Sequence, residues 1–273
     1  NVWPWIQGNS FTNFSNQVSV IDTGIDCSHP ALSCGGSWNY YAGEYENTTG
    51  DYHGHGTHVA GIVSSANNIY RGVSPGVTLL SEKVTGIDDP STIWSNVMSA
   101  LIHSYNFGSE IATCSLGEPD SFLDYSVVDG GTDVSKTFDA YVEAGLTSTV
   151  CASNDGPNYE TLTYPGDAFN VITVGAMDDN NTISRADDIV AANSSRGMTY
   201  DGRTKPDVSA PGTNIMSCNN LWEMEDDFIS HSGTSMATPH VAGMAALLVD
   251  EWARVYAGSL SGMGFMYDGP MAI

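Results

Sequence analysis

The sequence predicts an α/β domain with a doubly wound, mostly parallel sheet and helices on both faces. The first observation behind this is alternation: short apolar runs rich in β-branched residues recur between longer helical patterns. The second is the run Ile111–Ser115, IATCS, nearly continuous in apolar or small residues, as expected of a strand covered on both faces. The third is size. With 273 residues, 41% of them hydrophobic and 10% aromatic, the chain suits one large domain with a substantial core. No internal repeat, linker or low-complexity tract divides residues 1–273.

The elements follow in chain order. Val18–Ile21 is the first apolar strand; Asp22 ends it, and Gly24 permits an immediate turn. His55–Ala66 is a helix in which Gly56, Ala60 and Gly61 are small enough for close packing. Leu79–Val84, Ile111–Ser115, Thr149–Ala152 and Val171–Val174 are further strands, with helices at Thr92–Ser104 and Val134–Ala144 between them. Ser235–Tyr256 is a helix that is apolar all round and therefore buried. Pro239 is tolerated there because it lies in the first turn, where its missing N–H has no intrahelical partner to lose. From about residue 257 the tail is rich in Gly and Met and atypical, either a fragment's cut end or an unusual packing.

Composition narrows the function. Lys plus Arg is 8 and Asp plus Glu is 32, a net charge of −24. A nucleic-acid binder needs a basic face to displace counterions from phosphate, and this chain cannot build one. Adsorption to anionic lipid fails on the same ground, and no apolar run approaches the roughly 18 residues of a membrane span. Asn1 opens without a basic and then apolar leader, which leaves a cytosolic protein or a mature secreted one. Five cysteines are too few for a disulfide framework. Cys27 and Cys34 flank a short loop and could close it, whereas Cys114 and Cys151 lie in apolar runs and read as buried thiols. Sequons start at Asn13, Asn47, Asn180 and Asn193, a pattern common by chance.

In sheets of this kind, functional groups collect at the carboxyl ends of strands. Three patterns fall there or at helix starts. In VIDTGID, Asp22 ends a strand; alone it would pass for a turn cap. In HGHGTHVAG, His55 precedes a helix, and His58 one turn along reads as structural. Zinc is disfavoured because no carboxylate accompanies His53, His55 and His58 at ligand spacing. In HSGTSMATPHVAGMAALLV, Ser235 opens the buried helix, where unpaired N–H groups and the helix dipole favour it; alone it would pass for an N-cap.

Together the three are far more specific. Asp, His and Ser in that order, in the text DTGID, HGTHVAG and GTSMATPHVAG, resemble the subtilisin-like (S8) serine peptidases over roughly Gln17–Val249. CSLG at Cys114–Gly117 is similar to that family's substrate-binding edge, VCASNDG at Val150–Gly156 to the segment bearing its oxyanion asparagine, and KPDVSAPG at Lys205–Gly212 to a further segment near the cleft.

The resemblance implies a secreted serine endopeptidase acting through an acyl-enzyme. Ser235 would be the nucleophile, His55 the base and Asp22 its orienting partner, with Asn154 and the Ser235 N–H binding the oxyanion. Ser115, Leu116, Gly117, Ala152, Ser153 and Thr163 would bind substrate. Their small, uncharged lining implies medium or large apolar P1 residues, with Asp155 adding some acceptance of Lys or Arg. Peptide and protein substrates, a removed propeptide and no catalytic cofactor are implied too. Structural calcium is implied without ligands: the loop SANNIYRG holds no acidic set, and Asp178–Asp179 and Asp187–Asp188 also read as solvated charge. The −24 charge, with only Lys83, Lys136 and Lys205 as lysines, is borne either through salt screening or through bound calcium. A narrow processing protease or exopeptidase on the same fold, and a silent peptide-binding module, are the alternatives.

Overall fold

The structure, a computed structural model, describes residues 16–41, 50–85, 94–118, 124–253 and 255. Thr92, Tyr256, the sequons at Asn13 and Asn47 and the tail beyond 257 lie outside the described residues. Strands are β1 (Gln17–Asp22), β2 (Cys34–Asn39), β3 (Thr78–Lys83), β4 (Ile111–Cys114), β5 (Thr147–Cys151), β6 (Ile172–Asp178), β7 (Ile189–Val190), β8 (Val208–Pro211), β9 (Ile215–Cys218) and β10 (Phe228–His231). Helices are α1 (His55–Ser64), α2 (Trp94–Phe107), α3 (Asp133–Glu143) and α4 (Thr234–Trp252).

Eight strands form one sheet in the order β2-β3-β1-β4-β5-β6-β7, with β8 also paired to β6. Every pairing in it is parallel except β6 with β7. β9 and β10 form a separate antiparallel hairpin. The sheet is doubly wound as the sequence predicts, and the burial pattern shows why. Val18 and Val20 of β1 pack with Val59 and Val63 of α1 and Met236 and Ala242 of α4 on one face. Ile21 joins Val97 and Leu101 of α2 and Val134 and Phe138 of α3 on the other. One strand thus feeds two cores, as the side-chain period of two requires.

The chain winds outward from β1 in one direction through β3 and β2, and in the other through β4, β5 and β6. The reversal lies between β1 and β4, whose carboxyl ends are Asp22 and Cys114. A crevice opens outside strand ends at such a switch point. The site therefore belongs there.

Candidate active site

β1 delivers Asp22 to that crevice fully buried. α1 begins at His55, and Gly56 lets the helix approach: a Cβ on Gly56 would stand 3.1 Å from the Asp22 Cβ. His55 Nδ1 consequently meets Asp22 Oδ1 at 2.7 Å. A carboxylate only accepts, so Nδ1 carries the proton and Nε2 is left with its lone pair. Thr23 N–H also donates to Asp22 Oδ1, at 2.8 Å. Burial on its own would lower the His55 pKa, but the Asp22 charge and hydrogen bond, with Asp51 behind them, hold it above the ordinary 6.5.

α4 brings Ser235 to the same place, 9% exposed. It does not cap the helix. Its Oγ donates to the Ser115 carbonyl at 3.1 Å, and Ser115 Oγ donates back to the Ser235 carbonyl at 3.0 Å. The start of α4 is tied to the end of β8 through Gly233 N–H, which donates to Gly212 O at 2.7 Å. Beyond β5, Asn154 receives Thr234 N–H at 2.8 Å and Thr234 Oγ1 at 3.2 Å on its amide oxygen. With that oxygen occupied, Nδ2 is the end left to donate elsewhere.

His55, Ser235, Asn154, Ser115, Leu116, Gly117 and Ser153 all line one open cleft of about 320 Å³. Thr163 and Ala152 are buried behind it. Ser115–Gly117 run on past β4 with no strand partner among the described residues, and they line the cleft edge.

Residues 16–257 match the family model described as the subtilase family. The chain belongs to the subtilase family. This subtilase is 35% identical over 267 residues to the serine protease AprX of Bacillus subtilis (strain 168). That match covers 89% of this chain and 59% of AprX, so the chain spans less than two thirds of that relative. It is 32% identical to subtilisin DY of Bacillus licheniformis, covering 93% of this chain and 84% of the relative. A cold adapted subtilisin-like serine proteinase of known structure superposes with a TM-score of 0.66 at 26% identity, covering 87% of this chain and 76% of that one.

Several residues of this subtilase site carry no sequence signal strong enough to single them out. Asp51 is the foremost. Its Oδ1 accepts from Thr23 Oγ1 (2.9 Å), His53 N–H (3.0 Å) and Gly54 N–H (2.8 Å), and its Oδ2 from Thr57 N–H (2.8 Å) and Thr57 Oγ1 (2.7 Å). Thr23 Oγ1 in turn accepts from Gly56 N–H at 2.9 Å. One buried carboxylate thus clamps the strand end bearing Asp22 to the helix start bearing His55. The available signal was an acidic residue just ahead of a helix, the usual place to satisfy orphan N–H groups. Thr234, His53, Glu118 and Cys151 belong to the same group of residues that only the structure brings to the site.

His58 points away from the chemistry. Its Nε2–H is shared between the Ile215 and Ile229 carbonyls at 3.1 and 3.0 Å, which ties α1 to the β9–β10 hairpin. Burial, then the neighbouring His231, pushes its pKa down to about 3.

Three of the four aspartates weighed for calcium accept hydrogen bonds from within their own loop. Asp178 and Asp179 accept from the Asn180 and Asn181 backbone N–H groups, and the Asp187 carboxylate accepts from Thr182 Oγ1, so this loop closes on itself. The Asn67 side chain accepts from Ile69 and Tyr70 N–H groups in the same way. Among the described residues no three His, Cys, Asp or Glu side chains converge as a metal-binding group. No described helix is long and apolar enough to cross a membrane.

Cys27 and Cys34 form a disulfide, while Cys114, Cys151 and Cys218 are buried free thiols.

Proposed function

We propose that this chain hydrolyses internal peptide bonds of protein substrates through Asp22, His55 and Ser235 and a covalent acyl-enzyme. The observation that carries the reading is the pair of buried Asp22 and part-exposed His55 at 2.7 Å, opening on a cleft that also holds Ser235 and Asn154. In the resting geometry the Ser235 hydroxyl donates to Ser115 O, so its proton must be redirected to His55 Nε2 before transfer. Catalytic hydrogen bonds are commonly loose before substrate arrives.

Ser235 Oγ then attacks the scissile carbonyl carbon while its proton passes to His55 Nε2. The carbonyl oxygen becomes an oxyanion facing Asn154 Nδ2 and the Ser235 N–H. On collapse, the C–N bond breaks and His55 returns the proton to the leaving amine. Water repeats the sequence on the ester and regenerates Ser235. Asp22 keeps Nδ1 protonated and offsets the imidazolium charge without taking the proton.

An extended substrate would pair with the main chain of Ser115–Gly117 along the cleft edge, recognition by strand addition. The same proposal places the enzyme outside the cell, after removal of a propeptide. The Cys27–Cys34 bridge supports an oxidising compartment.

Casein digestion, read by mass spectrometry, tests this. Internal fragments should accumulate, and a sulfonyl fluoride should label Ser235 alone. Release of terminal residues only would favour an exopeptidase. In subtilisin itself, loss of the nucleophile costs about 10⁶ in turnover, and Ser235→Ala should lose activity on that order. A variant retaining a tenth of wild-type turnover would remove Ser235 from the mechanism.

A further inference from the structure

The peptidase reading fixes where a P1 side chain must go. It leaves the Cα next to the attacked carbonyl, so it enters the gap between Ser115–Gly117 and Ser153–Asn154, beside Ser235. The small residues of both walls lead the sequence to predict room for a large apolar group. The structure narrows that gap from one side.

Ser153 projects its hydroxyl across the gap toward Gly117. It hydrogen-bonds the Thr163 hydroxyl, and both side chains are buried, Thr163 completely. A Cβ built on Gly117 would collide with Ser153 Oγ and stand 2.9 Å from Thr163 Oγ1. Gly117 therefore already touches the hydroxyl pair, with no side chain's width left between the walls at that depth. Ser153 holds this position with a φ of +80°, a left-handed conformation that favours glycine over any residue with a Cβ. Leu162, fully buried with Ala152 and Val128 behind the pair, gives the floor no room to retreat.

We propose that the Ser153–Thr163 hydroxyl pair closes the P1 pocket and makes this chain selective for small P1 residues: Gly, Ala and Ser. A branched or aromatic side chain would have to displace the bridge and strip both hydroxyls of their partner. One of the two hydroxyl protons is used within the pair, and the other remains free to meet a P1 serine. The proposal rests on the peptidase reading and replaces the wider apolar preference expected from the sequence.

The test is kcat/KM for tetrapeptide anilides differing only at P1: Gly, Ala, Ser, Leu and Phe. Wild type should cleave the Ala peptide at least 100-fold better than the Phe peptide. Ser153→Gly removes the projecting hydroxyl and suits the observed φ, so it should fold at least as well and raise the Phe/Ala ratio at least tenfold. Thr163→Ala should move the ratio the same way by a smaller factor, and it serves as a second route should Ser153→Gly fail to express. An active wild type led by Phe or Leu overturns the closed pocket, as does an unchanged ratio in both variants. Failure to cleave any peptide, with Ser235 unlabelled by sulfonyl fluoride, overturns instead the peptidase reading and this inference with it.

Discussion

Thr234 holds the Asn154 side-chain oxygen with two hydrogen bonds, from its N–H at 2.8 Å and its hydroxyl at 3.2 Å. The residue before the proposed nucleophile therefore sets which end of Asn154 faces the cleft. Removing the analogous asparagine in subtilisin, a relative of this chain, costs about 10² to 10³ in turnover. Asn154→Ala should lose a similar factor in kcat with little change in KM. Thr234→Val keeps the backbone bond and removes one hydrogen bond, worth about 1 kcal/mol, so a roughly fivefold fall is expected. Because both changes act on one group, adding Thr234→Val to Asn154→Ala should cost almost nothing more. Steady-state kinetics on a single peptide anilide would show this, and additive losses would separate the two residues.

Asp51 contributes charge as well as hydrogen bonds. The groups facing His55 are Asp22 and Asp51, which raise its pKa, and His53, His58 and His231, whose rings lie close to it or couple to its charge. Lys83, whose pKa burial lowers while Asp51 raises it, also couples to Asp51 and donates to the Gly50 carbonyl beside it. A base must be neutral to act, so the acid limb of kcat/KM should have its midpoint above 6.5. Asp51→Asn removes one of the charges that hold it there and should move the limb to lower pH. It also turns an amide against donors that had met only oxygens, so kcat should drop more than KM changes. A purely structural role would leave the midpoint of the pH profile where it is.

The Cys27–Cys34 bridge closes a loop with a sequence separation of 7 beside β2. For so short a loop the chain-entropy account gives about 2–3 kcal/mol. Replacing both cysteines by serine should lower the urea-unfolding free energy by that amount, read in the Ser235→Ala background to prevent self-digestion. A change within a few tenths of a kcal/mol would show that the loop is held by other contacts, such as the Asp26 carboxylate accepting from Ser28 and Trp222.

What the sequence made legible follows a physical division. β1, β3, β4, β5 and β6 are buried on two faces around apolar or small residues, and α1 and α4 carry dense small-residue motifs, so all were readable within a few residues at each end. β7, β9 and β10 are short, exposed in part and antiparallel, and IV or FISH carries no alternation long enough to signal a strand. Asp22, His55, Ser235 and Asn154 could be singled out because each sits in a distinctive local text. Asp51 could not, since its local donors, His53, Gly54 and Thr57, read as an ordinary helix start, and only folding adds Thr23 and so the link to Asp22. Ser153 looked merely small. Its consequence comes from a backbone φ of +80° and from Gly117 across the gap, neither visible in the string VCASNDG.

His58 offers the cleanest stability test. Its pKa is about 3 in the fold, against an ordinary value of 6.5 once unfolded. Between those values the unfolded chain takes up a proton that the folded chain refuses. Stability is therefore fully present above pH 6.5 and is lost as pH falls toward 3. At pH 4.5 the cost is roughly 2–3 kcal/mol, from two pKa units at about 1.4 kcal/mol each, and it holds for any folded pKa well below 4.5. His231, its ring 4.6 Å from His58 and its own pKa lowered chiefly by burial, acts in the same direction. His58→Gln keeps a side-chain N–H for the Ile215 and Ile229 carbonyls and cannot take up the proton. In the Ser235→Ala background, urea-unfolding free energies should be measured from pH 7 to pH 4.5 with and without that substitution. The chain that keeps His58 should lose about 2–3 kcal/mol more over this range than the His58→Gln variant. Parallel curves would mean that His58 gains its proton without loss inside the fold, and the link between α1 and the β9–β10 hairpin would then survive acid unchanged.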